Sequence, residues 1–323
     1  MGKLAICIPT YNRADVLQDT FSYELDACRE LGIDVWVYDS STDGKTRELM
    51  ETLKDYNNVY YVSVDGSMDE KVLMIYQSYA RAKEYDYLWV VGDSVGFSRD
   101  ILVKIVDALE TNPTMIIINH TDLQNLGNKD YDDAHAMFCE LFWRSTLLGS
   151  VIIRADLYKD IDWIPYREKF VGQEWAGLGI PWYRLADVQD FKGILFSVRN
   201  KIDLRKSPLK KFAGWKGTAN GSEKVFKIWA EGIINTAYSI PFPKEEIETA
   251  LDTVRVYFKW FYWLTLCRSR KDGIYNAQIY KKYRKGIKMM SKYPDILLYL
   301  IAIVPILPMK VIVRIGDKFH FNN

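Results

Sequence analysis

The 323 residues carry 43 basic and 42 acidic side chains, a formal charge of +1, so no global field attracts nucleic acid and any basic attraction must be local. Cys7, Cys28, Cys139 and Cys267 lie far apart and form no CxxC pair, which argues against a disulfide scaffold or a thiolate zinc site and suits a reducing cytoplasm. The length accommodates one large α/β domain with an appendage, or two domains, and the apolar run Leu4–Ile8 is too short for the core of a signal peptide.

Leu4–Ile8 reads as a short buried strand stopped by Pro9. A helix is expected from about Ala14 to Leu31, where Leu17, Phe21, Leu25, Cys28 and Leu31 recur at helical spacing and Gly32 supplies the C′ residue. Ile33–Tyr38 is the second strand and ends in Asp39–Ser40–Ser41–Thr42–Asp43. A helix from about Lys45 to Lys54 leads to a third strand at Val59–Val64, and Asp65–Gly66–Ser67 precedes a helix near Asp69–Ala82. Tyr87–Val91 suits a strand buried on both faces, and it ends abruptly in Gly92–Asp93. Arg99–Glu110 is helical and Met115–Asn119 is the next strand.

Strands alternating with helices of this length imply βαβ units and a mostly parallel sheet. In such a sheet the loops that follow the strands open at one edge. Pro9–Arg13, Asp39–Asp43, Asp65–Ser67 and Asp93–Val95 therefore share a rim, the pattern of a ligand crevice. Asp93, just past a strand's carboxyl end, is the first candidate for chemistry; its plainer reading is a turn residue before the next helix.

In this order and spacing the motifs resemble those of family 2-type glycosyltransferases with the GT-A fold. Ile8–Pro9–Thr10–Tyr11–Asn12–Arg13 resembles the strand-one signature, Val37–Asp43 the acidic second loop, and Trp89–Val90–Val91–Gly92–Asp93 the strand that carries the metal-binding DxD. The likeness covers roughly residues 4–120, with a weaker echo to about 200. It implies that Pro9, Tyr11 and Arg13 line the nucleotide site, that Asp39 accepts a hydrogen bond from a uracil imide, and that Asp93 sits at the diphosphate and metal. For Asp43, helix capping is the expected role. A UDP-hexose or UDP-N-acetylhexosamine donor and an inverting transfer follow from the resemblance, with a glycan, glycoprotein or lipid-linked saccharide of surface-glycan synthesis as acceptor.

This chain departs from the family at Ser94–Val95, where the second carboxylate of DxD is absent. Either Mn²⁺ or Mg²⁺ is held by Asp93 with a ligand from elsewhere, for which His120 is the candidate, or cationic side chains take over the leaving-group charge. Lys71 begins the third helix and is a candidate for the phosphates, although a solvated first-turn lysine is its plainer reading. Lys206 and Lys210 belong to a basic, glycine-hinged segment, Lys201–Ser222, able to close over a diphosphate. The general base is sought near Val171–Trp175, with Glu174 first and Asp187 and Asp190 in reserve. Trp175 and Trp182 offer faces to sugar rings or fill the core. Thr121–Phe142 reads as a loop and short helix on the acceptor side, and Leu147–Arg154 as a glycine-led strand.

Residues 1–222 are read as the catalytic domain, with 1–120 its nucleotide-sugar half, and 223–323 as a helical region. Val225–Ala237 and Glu245–Leu266 show helical spacing. Basic residues from Lys281 to Lys292 precede the apolar stretch Ile296–Ile306, with Lys310 and Arg314 beyond, a composition suited to lying on an anionic membrane face or to packing on the protein. A nucleotidyltransferase is disfavoured because Pro9–Arg13 contains no glycine for a phosphate loop. A degenerate protein that binds sugar nucleotide or partner without turnover is the competing reading, prompted by Ser94–Val95.

Overall fold

The computed structural model describes residues 3–81, 84–119, 126–198, 204–206 and 222–318. The chain divides into two compact units, Met1–Lys210 with Ser239–Phe242, and Lys211–Tyr238 with Pro243–Asn323.

The first unit opens as the hydrophobic pattern dictates, with β1 (Leu4–Thr10), α1 (Ala14–Glu30), β2 (Asp34–Asp39), α2 (Lys45–Thr52), β3 (Val59–Ser63), α3 (Met68–Arg81) and β4 (Tyr87–Val90). All residues of β1 and β4 are buried, as expected of strands covered by helices on both faces. Next come β5 (Val95–Phe97), α4 (Arg99–Leu109), β6 (Met115–Asn119), β7 (Lys129–Tyr131), α5 (Ala134–Ser145) and β8 (Val151–Arg154). The helices α6 (Ile164–Phe170) and α7 (Ala176–Leu185) then lead to β9 (Gly193–Ser197) and β10 (Leu204–Lys206).

Eight strands form one sheet in the order β3-β2-β1-β4-β8-β6-β9-β7. The β1/β2, β2/β3, β1/β4 and β6/β9 pairs are parallel, which meets the expectation. β8 is inserted antiparallel between β4 and β6, and β7 runs antiparallel on β9. Two reversals preserve direction, so β6 and β9 run in the sense of β4. β5 and β10 form a separate antiparallel ribbon. One hydrophobic cluster, centred on Leu17, Phe21, Trp89, Phe97 and Ile152, joins α1 and α4 to the sheet. The acceptor-side stretch expected as loop and short helix contains the twelve-residue α5, capped by Asp133, whose carboxylate accepts the His135 and Ala136 N–H groups.

The second unit is helical. α8 (Lys224–Lys227) passes through a π turn (Ile228–Gly232) into α9 (Ile233–Ser239), and α10 (Lys244–Phe258), α11 (Trp263–Lys271), α12 (Ala277–Met289), α13 (Asp295–Ile303) and α14 (Ile306–Lys318) follow. The single helix expected over Glu245–Leu266 is two, because Lys259 turns left-handed at φ 52° and closes α10. Gly286 on α12 lies against the π turn so closely that a Cβ there would fall 1.5 Å from the Ala230 carbonyl oxygen, hence glycine at that position.

Candidate active site at the sheet rim

The carboxyl ends of β1, β2 and β4, with the start of α3, gather the charged residues predicted from the sequence. Asn12, left-handed at φ 49°, ties the first two loops together: its N–H donates to Ser41 Oγ at 2.7 Å and its Oδ1 accepts the Thr42 N–H at 2.9 Å. Asp39 is buried, with Oδ1 accepting the Ser41 N–H at 2.9 Å and Oδ2 accepting the Tyr61 hydroxyl at 3.0 Å. Asp43 is exposed and accepts the Lys45 N–H at 3.2 Å just before α2, a local turn role in line with the capping reading. Pro9 is enclosed in β1, whereas Tyr11 stands 54% exposed, free of the core.

Asp93 is buried and multiply held. Arg13 Nη1 lies 3.0 Å from its Oδ1, and the Thr10 hydroxyl donates to its Oδ2 at 3.1 Å. Thr20, one turn into α1, donates to the Asp93 carbonyl at 2.9 Å. Arg13 Nε and Nη2 are enclosed and have no partner among the described residues. Those two nitrogens form one edge of the guanidinium, the edge that engages carboxylates and phosphates side-on.

Lys71 departs from the expectation of a solvated first-turn lysine. It is buried, and its ammonium donates to the Thr10 carbonyl at 2.7 Å and to Ser40 Oγ at 2.8 Å. Burial lowers its pKa, opposed by the negative charges of Asp39 and Asp93. A cation is thereby fixed to the ends of β1 and β2 from α3, with two carboxylates repaying part of its desolvation.

The neighbouring residue Asp69 received no role from sequence reasoning. Buried at the start of α3, its carboxylate accepts N–H bonds from Gly172, Glu174 and Ala176 at 2.9, 2.7 and 3.0 Å. Burial pushes its pKa up while those three bonds hold it down. This clasp brings the loop before α7 to the rim and fixes Glu174 in a left-handed conformation at φ 68°. Glu174 is thus joined to the same helix start as Lys71.

Asp187 and Asp190 are not brought there. They lie between α7 and β9, and β9 runs parallel to β6 and hence in the sense of β4. The start of β9 is therefore at the edge opposite Asp93, and the two reserve carboxylates are withdrawn as bases. Trp175 and Trp182 are core residues; Trp182 is fully buried, donates to Ser145 Oγ at 2.8 Å and packs edge-on against Phe138.

Beneath Asp93, Glu24 of α1 is 1% exposed, and its Oε2 accepts the Phe97 N–H at 3.0 Å. Burial pushes its pKa up to about 8 against that bond. The β5 strand so anchored carries β10: Lys206 pairs with Val95 and Arg205 with Gly96. Lys206 of the basic segment is thus paired with a residue two positions after Asp93. Lys210 and His120 lie outside the described residues.

Among the described residues no three His, Cys, Asp or Glu side chains gather to hold a metal. Asp93 is the acid at the end of β4, and a guanidinium and a hydroxyl occupy its oxygens. A cationic neighbour on the sole carboxylate is poor chemistry for Mn²⁺ or Mg²⁺, which need several oxygen donors. The described residues do not fit that group.

Sheet order, the inserted antiparallel β8 and the charged residues at the carboxyl edge together define a GT-A fold. Comparison with solved structures agrees: the chain aligns with the crystal structure of S. aureus TarS over 89% of its own length and 50% of that longer chain, at TM-score 0.51 and 10% identity. S. aureus TarS in complex with UDP-GlcNAc aligns over 88% and 81% of the two chains (TM-score 0.49, 11% identity). A mannosyltransferase from Pyrobaculum calidifontis in complex with GDP-Man and Mn²⁺ aligns over 93% and 86% (TM-score 0.43, 14% identity). No family model and no curated protein matches the sequence.

Proposed function

We propose that this chain is an inverting glycosyltransferase that moves a hexose or N-acetylhexosamine from a UDP-sugar to a hydroxyl of a surface glycan, glycoprotein or lipid-linked saccharide. The observation that carries the reading is the unfilled edge of Arg13, Nε and Nη2, beside Asp93 at the end of β4. A buried guanidinium edge without acceptors is costly, and a diphosphate supplies acceptors of matching geometry once the atoms that seal that edge from solvent move aside. Asp93 and Thr10 fix the orientation of Arg13, and Lys71 adds a second positive charge to the rim. Two immobile cations favour the charge that develops on the departing UDP, without side-chain reorganisation during the reaction. Asp39, whose oxygens keep spare lone pairs beyond their two bonds, accepts a uracil imide N–H in this reading.

The acceptor hydroxyl must lose a proton as it attacks the anomeric carbon. Glu174, whose backbone N–H the Asp69 clasp holds, is the base in this scheme. The missing second acid is offset by Arg13, Lys71 and the basic segment that includes β10, rather than by a divalent cation. Purified protein should be stabilised by about 2.7 kcal/mol by UDP at a hundred times its Kd, with or without Mn²⁺. It should also release UDP from a UDP-sugar when a glycan acceptor is added, and Arg13→Ala should lose both. Absence of stabilisation by any UDP-sugar refutes the reading; stabilisation with no UDP release under any acceptor identifies a binding protein instead.

A further inference from the structure

Nine of the fourteen large apolar side chains exposed among the described residues fall within Ile296–Ile315, on α13 and α14. The two helices meet at a bend of 118° around Pro305. Their inner faces are satisfied. Leu298, Ile301 and Ala302 of α13, and Met309 and Val313 of α14, are buried, and the helices pack on α11 and α12. Packing on the protein therefore accounts for one side of each helix and leaves the other unexplained.

The outer side is continuous by helical geometry. Ile296, Leu300 and Ile303 follow one another at intervals of four and three on α13, and Leu307, Val311 and Ile315 at intervals of four on α14. Leu307 at the elbow is 76% exposed and Ile296 is 64% exposed. A patch of this kind on a folded surface marks a docking site. Two features of the page select its occupant. Lys310 and Arg314 stand three residues after Leu307 and Val311 on the exposed part of α14, so long cationic side chains flank the apolar stripe. The acids nearby are already engaged, exposed Asp317 with Arg268 and half-buried Asp295 with Arg284, while α12, packed against α13, adds exposed Lys281, Lys285 and Lys288. The rim is positive without compensation. A twofold contact between copies would set Lys310 and Arg314 against their own counterparts, whereas an anionic bilayer meets both the hydrocarbon and the charge.

The bend, and not length alone, fixes the mode of contact. No single described helix is long and apolar enough to cross a membrane; the pair α13–α14 is long enough only in sum, and its 118° bend turns α14 back rather than across. At 1.5 Å per residue α13 is about 14 Å long and α14 about 20 Å, against a hydrocarbon core of about 30 Å. We infer that the α13–α14 elbow is a monotopic anchor that lies in the interface of an anionic phospholipid bilayer, with Leu307 at its deepest point and Lys310 and Arg314 at the headgroups. This inference is independent of the catalytic reading, because its test measures partition and not turnover.

The test is co-sedimentation of the full chain with vesicles of phosphatidylcholine alone and of phosphatidylcholine with phosphatidylglycerol, at low and high salt. The full chain is expected to bind the anionic vesicles at least tenfold more tightly, with the preference shrinking in high salt. Leu307→Ser, Val311→Ser and Ile315→Ser combined change only exposed positions and should lower binding to anionic vesicles at least tenfold with an unchanged melting temperature. Lys310→Ala with Arg314→Ala should lower the anionic preference about twenty-five-fold, at about fivefold per charge, while the weak binding to neutral vesicles stays. Should the triple variant misfold, the charge pair alone decides, since both residues are exposed and carry no contact that the fold needs. Equal partition of the full chain and the charge variant overturns the inference. So does a dimer in sedimentation velocity that the triple variant abolishes in a chain that ignores both vesicle types, which would assign the patch to a second copy.

Discussion

The sheet rim and the C-terminal elbow break the same rule in opposite directions. At the rim, Asp39, Lys71 and Asp93 are withdrawn from water, although charged side chains are almost never buried unless paired. At the elbow, Leu307 and Ile296 are left in water although their neighbours Leu298 and Met309 are packed. Folding alone rewards neither arrangement. Buried charges cost desolvation that their partners only partly return, and exposed aliphatic chains forgo about 25 cal/mol for each Å² left wet. The two anomalies differ in what would relieve them: an anion for the spare edge of Arg13, hydrocarbon and negative charge for α13 and α14. They should therefore respond to different mutations, and that separation can be attacked directly.

The largest effect is expected at Asp93. Asp93→Ala removes the partner of Arg13 and one of the two negative charges felt by Lys71, so transfer should be abolished and stability should fall by about 3 kcal/mol. Asp43→Ala, which loses only an exposed turn bond, should keep wild-type turnover. Both should partition onto anionic vesicles like the parent chain. UDP-release assays beside co-sedimentation make the check, and retained turnover in Asp93→Ala overturns the assignment of the rim.

The next effect separates positioning from chemistry within the rim. Glu174→Gln should lower kcat by 10² or more with little change in stability, as expected when a base loses its ability to take a proton. Asp69→Asn is different, because one amide oxygen cannot accept three N–H bonds and its NH₂ would face donors. It should cost about 2 kcal/mol of stability and lower kcat by loosening the loop. If both act through Glu174, the double variant should turn over no more slowly than Glu174→Gln alone. Additive losses would show that Asp69 serves something other than that loop.

What the sequence made legible was the part carried by local pattern. Fully buried β1 and β4, running into Pro9–Thr10 and Gly92–Asp93, announced strands and a rim, because the alternation of buried runs and amphipathic helices is written within windows of a dozen residues. Lys71 was illegible as a buried cation, since the groups that make its burial tolerable arrive from β1, β2 and β4. The role of Asp69 was hidden for a related reason: its acceptors' partners are backbone N–H groups a hundred residues downstream, and no side-chain identity marks them. Asp187 stood in reserve to Glu174 until the direction of β9 placed it at the opposite edge. The elbow's apolar composition was plain, but only packing could show that one side of each helix is left over.

The smallest effect on turnover, and the sharpest test of how the rim is supported, concerns Glu24. Its carboxyl is enclosed beneath β5, with one oxygen accepting the Phe97 N–H and Oε1 lacking a partner among the described residues. Burial raises its folded pKa to about 8 from the ordinary glutamate value of 4.5, so the folded chain holds this proton where the unfolded chain has released it. Stability from Glu24 is full below about pH 4.5 and is lost as pH rises toward 8; between pH 5 and 8.5 the loss is about 4 kcal/mol. Glu24→Gln keeps an oxygen for the Phe97 N–H and removes the titration. Denaturant unfolding at the two pH values should therefore show a fall smaller by about 4 kcal/mol in the variant than in the parent, with every other titrating group common to both. Turnover at pH 7 should change little, since the proton is in place there and β5 stays anchored. An equal fall in both proteins would mean that Glu24 reaches solvent, and that the ribbon joining Asp93 to the basic segment rests on something else.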